Sequence, residues 1–407
     1  MPEKMMSTAT STGSGRRAAL LGAMFLMATS AIGPGFITQT TAFTVQLGAA
    51  MVFAIVVSIL VDIAVQLNVW RVLGISGLRA HELANANLRG LGWALAALVV
   101  LGGMVFNIGN VSGTGLGMSA MFGGLDPRIG AAISSVLAII IFMVKQVGPV
   151  LDRIVVFLGV LMIAMTTWIA ITTQPPIGAV LRNTVAPETI NAGIIVTLIG
   201  GTVGGYITYA GAHRLIDSRT TGPENVKAIS NSSITGILVT GLMRVVLFLA
   251  IFGVVAGGAK LDPANPAADA FRQAIGPLGG VIFGIIFWAA AITSVIGASY
   301  TSISFVTTQK TPERTRNLLT VGFIVLATVL YIAIGAAPVQ LLIFAGAFNG
   351  LILPIGFTVI LWVAWRRRDL LQGYKYPAWL LIIGALAWLL TLYLGFIALQ
   401  GLGKLWA

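Results

Sequence analysis

The feature that most limits the fold is a succession of apolar stretches, each about as long as a bilayer core is thick. Crossing hydrocarbon takes about 20 apolar residues in a helix. Stretches of that kind occupy 19–46, 48–70, 91–122, 129–147, 152–173, 189–213, 229–256, 275–305, 317–336, 338–365 and 378–400. Backbone amides inside a membrane must be paired within their own segment, so each stretch is expected to be a helix. Charged residues are only 9% of the 407-residue chain, against about 25% in soluble domains, so a water-facing surface cannot be built. The expectation is an all-α membrane protein of about eleven transmembrane helices. It comprises a disordered cytoplasmic N-terminus at 1–18 and a single transmembrane domain over 19–407. The polar start, ending in Arg16-Arg17, lacks the short apolar run and cleavage site of a secretory signal.

The net charge of +12 raises the question of nucleic acid, but the positions of the charges answer it. Lys and Arg collect on the cytoplasmic side of membrane proteins. With the N-terminus in the cytoplasm, Arg128, Arg182, Lys260, Arg272 and Lys404 fall on the outer side and Arg244 inside a span. The rest of the 24 Lys and Arg fall on the inner side, among them Lys4, Lys145 and Lys310. The charge is a topology signal. A multi-pass protein of the cell (plasma or inner) membrane with a cytoplasmic N-terminus follows, without a nucleic-acid partner.

The chain has no cysteine and only two histidines, His81 and His213. That removes disulfides, thiolate chemistry and a multi-histidine metal centre, and no cofactor is expected. Paired intramembrane acids and a His-Glu-x-x-His motif are missing, which argues against an embedded enzyme. Gly113-Thr114-Gly115-Leu116-Gly117 follows no strand, so it is not a nucleotide loop.

Two segments are interrupted. Segment 1 holds Gly33-Pro34-Gly35-Phe36 followed by Thr38, Gln39, Thr40 and Thr41; segment 6 holds Gly200-Gly201-Thr202-Val203-Gly204-Gly205-Tyr206. They lie five segments apart, and an odd number of helices inverts a second copy relative to the first. Paired interruptions in corresponding helices of two halves point to the binding site of a secondary transporter. Broken helices expose amides and carbonyls, and the N-terminal ends of half-helices favour anions. Glycine also serves simple close packing between membrane helices, and the chain has 49 of them.

At these interruptions the chain resembles the NRAMP family of divalent-metal transporters. Gly33-Pro34-Gly35 is similar to the family's first-helix opening, and Ile199-Gly200-Gly201-Thr202-Val203 to the sixth-helix approach to its metal. Leu341-Leu342-Ile343-Phe344 and Leu353-Pro354 are similar to the tenth helix. The resemblance implies a LeuT-like fold of 5+5 inverted helices with helices 1 and 6 broken. Repeat one then covers about 19–173, repeat two about 189–365, and an extra helix 378–400. The departures fall at the site. The family carries Asp-Pro-Gly-Asn in helix 1, and Ile37–Thr44 has no acid. It carries Met-Pro-His in helix 6, and here Gly204-Gly205-Tyr206 stands. Its acids in helix 3 and arginines in helix 9 are missing, with Asn107 and Asn110 in segment 3.

Divalent cations leaving water need hard oxygen ligands, usually with carboxylates, or soft donors for a transition metal. Amides, hydroxyls and carbonyls suit a small organic anion or an amino-acid-like solute better. Proton-coupled transport of Mn, Fe or Mg, as in the parent family, is the alternative, and a membrane-embedded enzyme a remote one. The residues expected to bind the solute are Gly35, Thr38, Gln39, Thr40, Thr41, Gly204, Gly205, Tyr206, Thr208, Asn107, Asn110 and Asn349. No metal ligands are assigned. The partners expected are a small-molecule or ion substrate, the lipid bilayer, and a coupling proton or Na⁺.

Asp62 is the acid well inside a span, and ionisable residues there are functional candidates. The competing reading makes it a hydrogen-bonded acid near the wet end of its helix, where Gln66 and Asn68 follow. Arg244 is expected to pair with Asp62 or with an anionic solute, or else to snorkel. His213 is a coupling candidate, with a solvated interfacial histidine as the other reading. Asn107 and Asn110 share a helical face. Thr293, Ser294 and Asn349 serve either the cavity or interhelical hydrogen bonding.

Overall fold

The computed structural model describes residues 13–144, 148–308 and 311–402. Residues 1–12, including Lys4, and also Lys145, Lys310 and Lys404 lie outside the described residues. The helices are α1 (Gly13–Ala31), α2 (Pro34–Leu47), α3 (Met51–Ser76), α4 (Ala80–Asn87), α5 (Leu91–Met121), α6 (Pro127–Met143), α7 (Gly148–Thr173) and α8 (Ile177–Val185). They continue with α9 (Ala192–Val203), α10 (Ile207–Asp217), α11 (Val226–Ala256), α12 (Pro266–Ile275), α13 (Pro277–Ser304), α14 (Glu313–Ile334), α15 (Pro338–Arg366) and α16 (Ala378–Leu402). Among the described residues no strand occurs.

Eight of these helical runs are long and apolar enough to cross a membrane, or nine if one bent pair counts as a span. The expected count of eleven is therefore not reached by length and apolarity, for identifiable reasons. The chain passes from α2 through one turn of 3₁₀ helix, Gly48–Ala50, straight into α3. Helix α6 has only 17 residues. Helix α7 turns through 108° into α8. Large apolar side chains such as Leu60, Leu101, Val136, Phe157 and Leu386 stay exposed on the outside, as a surface solvated by lipid tails allows.

Both interruptions are real breaks. Helix α1 ends at Ala31, and Gly33 is extended (φ −92°, ψ −174°) before Pro34 opens α2. Proline suits that first position because its missing N–H would have no intrahelical partner there. Helix α9 ends at Val203; Gly204 is extended and Gly205 sits at φ +54° before α10 begins. That conformation costs an L side chain roughly 1–2 kcal/mol, so glycine is the residue that fits.

Small residues let the helices close on one another. A Cβ on Gly117 would meet Trp288 backbone at 2.8 Å, and one on Gly284 would meet Ala120 Cβ at 3.0 Å, so α5 and α13 touch backbone to backbone. A Cβ on Gly200 would overlap Gly346 O and Gly350 on α15. This is packing by small residues, the usual means where lipid is as apolar as leucine.

Ordered structure also occurs between the spans. The Gly74–Gly90 stretch contains α4, and its Arg79 is buried. The Arg79 guanidinium donates to Asp217 at 2.7 Å and to Ser304 O and Thr307 O at 3.2 Å, joining α4, α10 and the end of α13. His213 belongs to the same junction. It is buried, which corrects the solvated reading: its Nε2 accepts from the Ala80 N–H at 3.2 Å and its Nδ1 lies 3.1 Å from Ser304 Oγ. Accepting from an amide fixes the ring as neutral with its proton on Nδ1. In α4, burial pulls His81 below its ordinary range; Glu82 opposes the shift and Arg79 adds to it.

Candidate functional site

The two breaks face each other across α5 and α13. An ideal Cβ at Gly33 would lie 2.8 Å from Ser294 Oγ and 3.8 Å from Asn110 Oδ1. Asn110 also stands beside the Tyr206 hydroxyl in the other break. Tyr206 is held edge-on to Phe106, with ring centroids 5.6 Å apart at 89°. One asparagine thus reaches both interruptions. Asn110 Nδ2, Tyr206 OH and Ser294 Oγ are buried and, among the described residues, none makes a well-formed hydrogen bond, the nearest approach being that of Asn110 to the Tyr206 hydroxyl. All three are able to donate. They sit where α2 and α10 begin, at amide ends that carry partial positive charge.

A second group presents oxygen. Gln39 Nε2 donates to Leu342 O at 2.9 Å, which leaves its Oε1 against Gly201. Asn349 Nδ2 donates to Gly102 O at 3.0 Å and Ala345 O at 2.9 Å, which leaves its Oδ1 against Gly205. A carbonyl only accepts, so these contacts settle which end of each amide is nitrogen. Asn107 donates to Ser299 Oγ at 2.9 Å. The oxygens of Gln39, Asn107 and Asn349 are buried without partners among the described residues. Unpaired buried polar atoms cost about 1–3 kcal/mol each, and these six polar groups gather around the two breaks.

Several expected residues contribute differently. Thr40 and Thr41 are buried, but their hydroxyls donate back to Phe36 O at 2.7 Å and Ile37 O at 2.9 Å within α2. Thr38 and Gly35 are buried in the same helix, and Gly35 lies against the Gln39 amide. Thr208 donates to Gln66 Oε1 at 2.9 Å, tying α10 to α3. Gly204 lies within the break, against Gly200 O. His213 lies at the α4 junction and not between the breaks. Ser294 on α13, open in the sequence to either a cavity or an interhelical role, stands at the first break, and Ser299 carries no sequence signal that marks it, since a serine in a glycine-rich helix has no periodicity separating the two roles.

Asp62 and Arg244 form a further polar cluster behind α9. Both are buried, with 1% exposure, so Arg244 does not snorkel. Its Nη1 donates to Leu198 O at 3.5 Å, and its guanidinium lies 4.2 Å from the centre of the Phe36 ring. Asp62 stands beside the Thr202 hydroxyl and within electrostatic reach of Arg244. Gln66 and Asn68 are fully buried as well, and Asn68 accepts from the Tyr376 hydroxyl at 2.7 Å. This part of α3 is therefore interior and not a wet helix end. Among the described residues no group of three or more His, Cys, Asp or Glu is placed to hold a metal ion.

Residues 24–400 match the natural resistance-associated macrophage protein-like family. An uncharacterized membrane protein of Bacillus subtilis, YcsG, is 49% identical over 391 residues, covering 95% of this chain and 96% of that protein. An uncharacterized membrane protein of Haemophilus influenzae is 49% identical over 370 residues, covering 91% and 92%. Among solved structures, a mutant manganese transporter of Eremococcus coleocola superimposes with a TM-score of 0.73 at 17% identity, covering 97% of this chain and 90% of that one. MhsT in complex with L-phenylalanine superimposes with a TM-score of 0.68 at 17% identity, covering 93% and 98%. The shared architecture is the LeuT-like fold, with its first and sixth spans broken.

Proposed function

Because the chain belongs to the natural resistance-associated macrophage protein-like family, as a multi-pass membrane transporter and not an enzyme, we propose that it is a secondary transporter of a small organic anion or amino-acid-like solute. The solute is held between the two helix breaks and carried by alternating access. The observation that supports this most is the group of buried donors, Asn110 Nδ2, Tyr206 OH and Ser294 Oγ, which lack well-formed hydrogen bonds and stand beside the starts of α2 and α10. A carboxylate accepts from such donors and is favoured by the positive ends of both half-helices. The free oxygens of Gln39, Asn107 and Asn349 suit the N–H groups of an amino-acid-like molecule. The membrane is the plasma or inner membrane, the N-terminus is cytoplasmic, and a proton or Na⁺ drives uptake. Residues 19–407 act as one domain of two inverted repeats.

The manganese transporter among the structural neighbours supports a second reading, a divalent cation on the same three amide oxygens. A cation that sheds water normally meets carboxylates or soft donors as well. The acid nearest the breaks, Asp62, lies behind α9 beside Thr202 and not among those amides.

Thermal unfolding of the purified protein against a panel of divalent metals and small carboxylates separates the two. A ligand at a hundred times its Kd stabilises by about 2.7 kcal/mol, a clear rise in Tm. The expected result is a rise with one class of small carboxylate that is lost in Asn110→Ala. A rise with Mn²⁺ alone, lost in Asp62→Asn, would reverse the assignment.

A further inference from the structure

We propose that Asp62 is the group that binds this transporter's coupling proton, with Arg244 as the fixed charge that the proton uncovers. Both residues lie well inside their helices, α3 and α11, and both are 1% exposed. A charge at that depth is costly and persists where another compensates it. Here the compensation is incomplete at the atomic level. Arg244 Nε and Nη2 and Asp62 Oδ1 are buried without hydrogen-bond partners among the described residues. A pair kept only as structural cement would be expected to close these contacts. A buried acid with an open oxygen, within electrostatic reach of a guanidinium but not locked to it by an ion pair, is instead suited to changing its protonation.

The pair also sits where a change of charge is felt at both breaks. Thr202, beside Asp62, belongs to the last turn of α9 before Gly204, and Phe36, under Arg244, to the first turn of α2 after Gly33. One turn along α3, Gln66 accepts from Thr208 just past the second break, so this face of α3 brackets the interruption on both sides.

The charged group facing Asp62 from α11 is Arg244, and α9 brings the neutral Thr202. The other titratable groups on elements packed against α3 lie elsewhere. His81 and Glu82 of α4 and His213 of α10 gather around Phe305 and Arg79 beyond the far end of α3, the Tyr209 ring one residue past Thr208 also packs on Phe305, and Arg214 of α10, Lys227 of α11, Arg366 of α15 and Tyr393 of α16 are exposed. Ser76 is about 21 Å along the helix axis from Asp62, at 1.5 Å per residue. Arg182 of α8 is exposed.

With Asp62 ionised, the two charges sum to zero. On protonation an O–H bond forms at its carboxylate. The proton leaves a hydronium ion on the entry side, whose O–H bond breaks as the carboxyl O–H forms, and on the exit side the carboxyl O–H breaks as a water takes the proton. Arg244 is then an uncompensated positive charge near both breaks, and a monoanionic solute between them restores neutrality. Proton and anion therefore enter together, one for one. This last pairing rests on the organic-anion reading above; the identity of the proton site does not.

The test is infrared difference spectroscopy of the reconstituted protein over a series of pH values, with protons as the probe. The expected result is a protonated-carboxyl carbonyl band that grows as pH falls, is lost in Asp62→Asn and has a displaced midpoint in Arg244→Gln. Where Arg244→Gln does not fold, Thr202→Val, which removes the neighbouring hydroxyl, displaces the midpoint. Superimposable spectra for the unmodified and Asp62→Asn proteins would overturn the proposal, as would an unmoved midpoint in every folded variant. Titration of Asp62 in a protein whose Tm ignores every carboxylate would keep the proton site and remove the organic-anion reading.

Discussion

Gly205 carries the tightest constraint on any single residue of the site. Its φ of +54° costs an L side chain roughly 1–2 kcal/mol, and a methyl there would overlap Asn349 Oδ1. Gly205→Ala is therefore expected to lower stability by about 2 kcal/mol and to stop uptake in proteoliposomes, because it displaces the Asn349 oxygen from the break. Gly178→Ala, in α8 and where nothing stands within 4 Å of the added carbon, is the control: it should transport normally and melt no lower, a helical Gly→Ala change being favourable by up to about 1 kcal/mol. If Gly205→Ala melts and transports like Gly178→Ala, the second break is not part of the site. The importance of this glycine is legible in the sequence, because Gly204-Gly205 interrupts an otherwise good spanning helix. The role of Gln39 is legible only in half. Its polarity in an apolar segment is visible, but its partner Leu342 is 303 residues away. The threonines beside it look alike in the sequence, yet two of them spend their hydroxyls on their own helix.

At the scale of elements, apolar length placed the long helices well: 91–122 against Leu91–Met121 and 338–365 against Pro338–Arg366. It failed where the signal is weak. Helix α4 has a mixed composition and lies in a stretch rich in charge, so it reads as a loop, although its N-cap Arg79 and its His81 are buried. Helix α12 was hidden in the same way between Pro266 and Gly276. What orders α12 is Asp269. Its carboxylate accepts from the Asp262 N–H at 2.8 Å, from Arg272 at 2.6 and 3.0 Å, and from Gln273 at 2.8 Å. Burial pushes this acid upward, but the Asp262 amide together with Arg272 and Gln273 outweighs it and holds the group below the ordinary carboxylate range. A depressed folded-state value means that the stabilisation is complete above the unfolded value, about 3.9 for Asp. It is lost as pH falls through the lower folded value. Asp269→Asn should thus lower the stability of the Lys260–Ile275 region by about 1.5–3 kcal/mol near neutral pH. The difference should vanish once the pH lies below both values. Hydrogen exchange of that region at two pH values measures it, and a pH-independent difference would assign the effect to packing instead.

Over the whole molecule, the breaks make sense only if the pieces they separate move. Alternating access in inverted-repeat transporters is largely the rocking of one bundle of helices against the rest. Half-helix α1 packs on both α10 and α13, so it is placed to move with one partner and slide past the other. The chain contains no cysteine, so an engineered pair would be its only thiols. A Cβ at Gly297 of α13 would lie 3.6 Å from Ser30 Oγ of α1 and would clash with nothing. Across a disulfide a Cβ lies about 3 Å from the partner sulfur, so a small side-chain adjustment brings this pair into bonding range. The Ser30→Cys/Gly297→Cys protein should therefore cross-link on mild oxidation. If α1 slides past α13 during the cycle, cross-linked proteoliposomes should lose most of their uptake and recover it in reductant, while solute binding to the oxidised protein persists. A transporter that turns over normally with the bridge intact would show that α1 and α13 travel as one body, and the moving boundary would then have to lie between α1 and α10.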